Sequence, residues 1–181
     1  MAPIDKGREI AFGGRSNAGK SSAINAITSQ RSLARTSKTP GRTQHLVFFR
    51  IDDNRRLVDL PGYGYAKAPL SVRKTWQKTT ENYMTNRKSL CGIFLLVDIR
   101  RSLTDFDHQM IDYCEFNKLP IHIALTKADK FRKGRARNIF MKVEKQLGKL
   151  RIPWSLQLFS AVDRLGIEDA RLALDQWFQR E

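Results

Sequence analysis

The stretch Gly14-Arg-Ser-Asn-Ala-Gly19-Lys20-Ser21 constrains this chain more than any other. It lies between the apolar run Glu9-Ile-Ala-Phe12 and Ser22-Ala-Ile-Asn-Ala-Ile27, whose apolar residues are spaced for a helix. A loop that wraps a polyphosphate must turn successive backbone N–H groups inward, and glycine permits this because it has no Cβ. Gly14 and Gly19 bracket such a loop, with Arg15, Ser16, Asn17 and Ala18 between them. Lys20, Ser21 and Ser22 then open a helix whose N-terminal dipole favours negative charge. The Lys20 ammonium can reach β- and γ-phosphates, and the Ser21 hydroxyl suits Mg²⁺. The pattern predicts a nucleoside triphosphate site.

Downstream, short apolar runs alternate with segments of helical period, which predicts a mostly parallel α/β sheet covered by helices on both faces. Six strands are expected, over Glu9–Gly13, His45–Ile51, Arg56–Leu60, Gly92–Asp98, Ile121–Leu125 and Ser155–Phe159. The second and third are separated only by Asp52-Asp53-Asn54-Arg55, so they read as an antiparallel hairpin. Helical stripes follow at Val72, Trp76 and Tyr83; at Phe106, Met110, Ile111 and Cys114; at Ala136, Ile139, Phe140, Val143 and Leu147; and at Ile167, Ala170, Leu174, Trp177 and Phe178. Thr104 with Asp107 resembles a capping box. At 181 residues the chain is read as a single domain.

Lys and Arg number 33 against 18 Asp and Glu, a formal charge of +15. One triphosphate with Mg²⁺ needs only a few cations. The excess therefore points to a polyanionic partner, RNA first and an anionic membrane surface second. The longest apolar run, Ile93-Phe-Leu-Leu-Val97, is too short to span a bilayer, and the N-terminus lacks the apolar segment of a signal peptide. A cytoplasmic location is expected. Cys91 and Cys114 read as buried reduced thiols, and His45, His108 and His122 are too scattered for a metal centre or a catalytic triad.

Two further stretches carry chemistry. In Arg56-Leu-Val-Asp59-Leu60-Pro61-Gly62 an apolar strand ends in a carboxylate, placed to hold Mg²⁺ through water, and the Gly62 N–H could bond a γ-phosphate. Asp98 after Ile93–Val97 offers a similar pattern and is read as structural, because it lacks the mobile Pro-Gly turn. In Thr126-Lys127-Ala128-Asp129 a polar tetrapeptide ends a buried strand. The Asp129 carboxylate can accept from both N1–H and the 2-amino group of guanine, whereas adenine lacks that amino group. Guanine is thereby favoured, with the Lys127 stem against the base and Phe159-Ser160-Ala161 offering backbone N–H groups to its oxygen.

These elements, in this order, resemble the translation-factor-like class of GTPases, and more narrowly the EngB (YihA/YsxC) family of bacterial ribosome-biogenesis GTP-binding proteins. The resemblance runs over Gly14–Ser22, Ser32–Gln44, Val58–Tyr65, Thr126–Asp129 and Phe159–Ala161. It implies a three-layer P-loop GTPase fold that hydrolyses GTP to GDP and phosphate. It also makes Thr43 the switch residue that joins Ser21 and Asp59 on Mg²⁺, with Gly41, Arg42, Thr43, Gln44 and His45 over the γ-phosphate, and gives Lys20, Thr43 and Gly62 the catalytic roles. From the residues alone, Thr36 or Thr39 would serve nearly as well as Thr43. The family's role in assembling the large ribosomal subunit, with a link to cell division and septation, implies that subunit or its rRNA as partner, and a monomer is expected.

Two departures from the wider GTPase pattern stand out. Tyr63 occupies the position of the water-orienting glutamine, so intrinsic hydrolysis should be slow. Thr126 replaces the usual asparagine, so some bracing of the phosphate loop should be lost. Asn17 is similar to a feature of K⁺-activated relatives, which makes K⁺ a second candidate cofactor alongside simple loop bracing. A GTP-controlled adaptor in the division machinery is the rival reading; a P-loop phosphotransferase would leave Thr126–Asp129 without a purpose.

Overall fold

A computed structural model describes residues 2–35, 45–63 and 70–179. In chain order the elements are β1 (Arg8–Gly14), α1 (Lys20–Ile27), β2 (Val47–Arg50), β3 (Arg55–Asp59), α2 (Leu70–Asn86), β4 (Leu90–Asp98), α3 (Asp105–Phe116), β5 (Ile121–Thr126), α4 (Lys133–Leu147), β6 (Trp154–Leu158) and α5 (Ile167–Gln179). The six strands form one sheet in the order β2-β3-β1-β4-β5-β6, parallel except for the β2–β3 pair. All six expected strands are present with ends moved by one or two residues. The hairpin turn closes on Asp52, whose Oδ1 accepts the N–H groups of Asn54 and Arg55.

Side chains alternate across the central strands, which is why these strands are apolar on both faces. On one face Ala11, Ile93, Leu95, Val97, Ile123 and Leu125 meet Tyr83 and Met84 of α2, Met110, Ile111 and Cys114 of α3, and Ala136, Val143 and Leu147 of α4. On the other, Ile10, Phe12, Phe94, Leu96 and Ala124 meet α1 and α5 through Ile24, Ile27, Ala170, Leu174 and Trp177. Burial pushes the Cys114 thiol up to about 12, so it stays protonated, and both cysteines are free. His122 packs on Phe94 and bonds Ser155 and Gln157; burial pushes its pKa down to about 4, so it is a neutral core residue. Phe106, which helical spacing reads as a core position, lies in the first turn of α3 and is 46% exposed. The side chains of Val72 and Trp76 lie outside what is described.

At the amino ends of the strands sits a buried ion cluster that the apolar pattern does not announce. Glu9 is fully buried and accepts from Arg87 at 2.7 and 2.9 Å, from Tyr83 Oη at 3.0 Å and from Arg56 at 3.4 Å. It ties the end of α2 to β1. Removing one partner of such a pair leaves the others charged and unsatisfied. Glu9→Ala should therefore lower the unfolding free energy by about 3–5 kcal/mol in urea denaturation, and Glu9→Gln by less because hydrogen bonds persist.

Candidate nucleotide site

Parallel strands β1, β3, β4 and β5 end along one edge of the sheet, and every predicted site motif among the described residues leaves from that edge. Chain connections diverge between β1 and β4, the position at which open α/β sheets form a crevice. Gly14 must pass the β4 backbone so closely that a Cβ would lie 2.6 Å from the Leu96 carbonyl oxygen. Gly19, at φ 92°, supplies the left-handed turn that starts α1. The first bond of α1 runs from Ala23 N–H to Gly19 O, so the amides of Lys20, Ser21 and Ser22 have no intrahelical acceptor. Those free donors face the dipole's positive end, a suitable place for anionic oxygens.

Lys20 and Asp59 form a buried ion pair through Nζ and Oδ1. Asp59 ends β3 opposite Phe12 of β1, which brings it beneath the loop. Burial raises its pKa, and the Lys20 charge opposes that rise. Ser21 is half-buried in the first helical turn. Among the described residues no group of three or more His, Cys, Asp or Glu side chains could cage a metal. One carboxylate plus one hydroxyl is nonetheless the donor set that suits Mg²⁺ when phosphate oxygens complete the shell, so these residues fit the ion.

The segment after Asp59 is zipped to the loop. Ser16 N–H donates to Tyr63 O at 2.9 Å, and Tyr63 N–H donates to Gly14 O at 3.4 Å. Leu60 and Pro61 are buried. A Cβ on Gly62 would meet Ser16 Oγ at 3.1 Å and its backbone N at 3.2 Å, so this approach is tight. Tyr63 Oη donates to Asp107 Oδ1 at 2.7 Å while its ring lies beside Phe106, and burial next to Asp107 raises its pKa well above the usual phenol range. Asp107 also closes the predicted capping box with Thr104. Tyr63 thus packs onto α3 through its hydroxyl and its ring. Below the loop lies a cavity of about 300 Å³ between Arg15, Asp98, Arg100, Thr104 and Asp107, into whose rim the buried Arg15 Nε brings no bonded partner among the described residues.

The residues expected to recognise the base are wired directly to this loop. Thr126 Oγ1 lies 2.5 Å from Ala18 O and 3.2 Å from Val97 O, so the threonine braces the loop through its one hydroxyl. Lys127 Nζ donates to Asn17 O at 2.6 Å and to Asp98 Oδ2 at 2.8 Å. The Asn17 side chain is exposed and braces nothing among the described residues; its carbonyl does that work. Asp98, read from sequence as structural, positions Lys127 and also takes two bonds from the Arg100 guanidinium. Burial works to raise the Asp98 pKa, but the bonds from Arg100 and Lys127 outweigh it and hold the carboxyl well below its ordinary range.

Asp129 is aligned by two neighbours. Lys130 Nζ lies 2.8 Å from Oδ2 and Ser160 Oγ donates to Oδ1 at 2.7 Å; Lys130 first and Ser160 second hold its pKa low. Ser160 therefore positions the carboxylate by its side chain. Its amide is bonded to Leu165 O and that of Phe159 to Leu125 O, which narrows the expected N–H donors of Phe159-Ser160-Ala161 to Ala161. Ala128 is buried behind Asp129, and its N–H bonds Phe159 O. His45 is exposed just before β2. Gly41, Arg42, Thr43 and Gln44 lie outside the described residues.

Residues 9–127 match the family described as 50S ribosome-binding GTPase. The chain is similar in structure to a probable GTP-binding protein engB, with TM-score 0.76 and 21% identity over 96% of this chain and 100% of that one. It is similar to Era in complex with MgGDPNP and nucleotides 1506–1542 of 16S ribosomal RNA, with TM-score 0.74 and 15% identity over 97% of this chain and 58% of that one. It also resembles translation elongation factor SelB from Methanococcus maripaludis in complex with GppNHp, with TM-score 0.71 and 14% identity over 97% of this chain and 34% of that one. These likenesses place the fold among P-loop GTPases.

If Asp129 reads the base, Asp129→Asn offers one acceptor and one donor where guanine presents two donors. Competition binding with labelled nucleotide should show guanine affinity falling at least about a hundredfold, with xanthine nucleotide, which carries an acceptor in place of the amino group, now preferred.

Proposed function

The chain belongs to the 50S ribosome-binding GTPase family, and from that premise we propose that it is a slow GTP-driven switch in assembly of the large ribosomal subunit. The observation that carries the nucleotide half of this reading is the pair of bonds from Thr126 and Lys127 to the carbonyls of Ala18 and Asn17. They make the base-reading loop and the phosphate loop one mechanical unit.

In this reading Gly14–Ser22 enclose the phosphates, Lys20 reaches the β- and γ-phosphates, and Thr126–Asp129 with Ala161 read guanine. Ser21, Asp59 and Thr43 would hold Mg²⁺. Bound there, the ion neutralises charge on the phosphates during transfer to water. Tyr63, with its hydroxyl engaged by Asp107, has no amide with which to orient that water, so hydrolysis is slow without a partner. Residues about 31–44 and 62–70 are the proposed switch segments, ordered by γ-phosphate contacts and released on hydrolysis. Arg31, Arg35, Lys38 and Arg42 make the first of them basic. The net charge of +15 favours an RNA-rich partner, and Era, 58% of whose chain is matched by this one, has been seen in complex with 16S ribosomal RNA. A role in cell division and septation belongs to the EngB resemblance and would follow from a shortage of ribosomes.

Co-sedimentation with purified large ribosomal subunits, in a non-hydrolysable GTP analogue, in GDP and without nucleotide at matched salt, tests the proposal. Retention is expected to be markedly stronger in the GTP-like state than in the other two. Equal retention in all three, or none, would overturn the switch and bring forward a protein-binding adaptor in division.

A further inference from the structure

Between Lys130 and Arg151 the sequence carries nine Lys or Arg and a single acid, Glu144. All nine are exposed, and among the described residues only Lys130 has an ion-pair partner. Most of them lie on α4. Its apolar positions Ala136, Val143 and Leu147 are buried against the sheet. Arg135, Asn138, Lys142 and Lys145 recur at helical spacing on the opposite side, a polar stripe running about 15 Å along the helix. Lys149 continues it past the last turn.

The N-terminal end of this helix is charged against its own interest, whereas Lys145 in the last turn suits the dipole. Helix N-termini favour anions, and α3 and α5 obey, with Asp105 and Asp107 in the first turn of one and Glu168 and Asp169 in that of the other. α4 has no acid in its first turn, its N-cap is Arg132 with no side-chain bond, and Lys133 and Arg135 follow. Lys133 and Arg137 then stand four residues apart, a like-charge pairing that costs helix stability. Arg135 rests on the Phe131 ring at 4.1 Å, which holds its guanidinium in place. A polyanion laid on this face would relieve all of these repulsions together.

We infer that the exposed face of α4 is an RNA-binding surface that contacts phosphate backbone and works in every nucleotide state, a fixed anchor beside the switch. The inference rests on the ribosomal partner proposed above and names a surface for it. A membrane is disfavoured because an interfacial helix must insert its apolar face, and that of α4 is occupied by the sheet. A protein partner is disfavoured because the stripe carries no aromatic anchor of the kind that dominates protein interfaces. Phosphate contacts require neither.

The test uses the full chain, a short fluorescein-labelled RNA duplex and anisotropy titrations from about 50 to 200 mM salt. The variant Arg135→Gln/Lys142→Gln/Lys145→Gln/Lys149→Gln is compared with Lys6→Gln/Lys78→Gln/Lys88→Gln/Arg164→Gln, which removes equal charge from exposed positions elsewhere. The α4 variant should lose at least about tenfold in affinity and flatten the salt slope by about three, in GTP analogue and GDP alike, while the control loses less than about threefold. Both should bind labelled GTP as wild type does. If the α4 quartet fails that check, Lys142→Gln/Lys145→Gln replaces it, with at least about a threefold loss expected. Equal losses in the two quartets, no RNA binding by wild type, or binding to anionic phospholipid vesicles lost in place of RNA binding would each overturn the inference. The switch proposal is judged separately, by whether wild type is retained on subunits more strongly in the GTP-like state than in GDP or without nucleotide.

Discussion

A lysine and an aspartate buried together at the ends of β1 and β3 set the terms for everything around them. Desolvating two charges costs several kcal/mol each, on the order of what their attraction returns, so such a pair is a weak source of stability. Lys20 is placed there by the first turn of α1, and Asp59 by its register beside Phe12. The loop between Gly14 and Lys20, the amides at the start of α1 and the close approach of Gly62 to Ser16 surround that pair with donors. In the function proposed above, phosphate would take the lysine and a divalent cation the carboxylate.

The same edge carries a second layer of control. Thr126, Lys127 and Asp98 join β4 and β5 to the phosphate loop through its carbonyls, and Ser160 joins β6 to Asp129. On the other side Tyr63 carries the segment after β3 to the capping residue of α3. Thr126, Lys127, Asp129 and Tyr63 are thus connected to the Gly14–Lys20 loop or to neighbouring elements by hydrogen bonds across strand ends. At the opposite edge the Glu9 cluster pins the C-terminal end of α2 to β1, so the sheet frame is held far from the site.

Much of this was legible in the sequence, and the reasons are local. Apolar runs gave the strands, the short polar turn at Asp52–Arg55 gave the hairpin, and Thr104 with Asp107 gave the start of α3. Gly14–Ser22 and Thr126–Asp129 stand out in the sequence because each is a run of residues adjacent in the chain, and the structure brings the two runs together. What escaped depends on partners far apart in it. Glu9 meets Arg87 only through packing of α2, Asp98 meets Lys127 only because β4 and β5 are neighbours, and Ser160 reaches Asp129 only across two strand ends. Each left one usable signal, a charged or hydroxyl residue at the end of an apolar strand. Phe106 was misjudged for a related reason, since helical spacing alone cannot say which first-turn position stays exposed.

A structure of the protein with Mg²⁺ and a non-hydrolysable GTP analogue tests the central claim most directly. The account predicts that Lys20 Nζ parts from Asp59 to contact phosphate oxygens, with the Thr126 and Lys127 bonds to the loop kept. An intact Lys20–Asp59 pair beside bound nucleotide would contradict it.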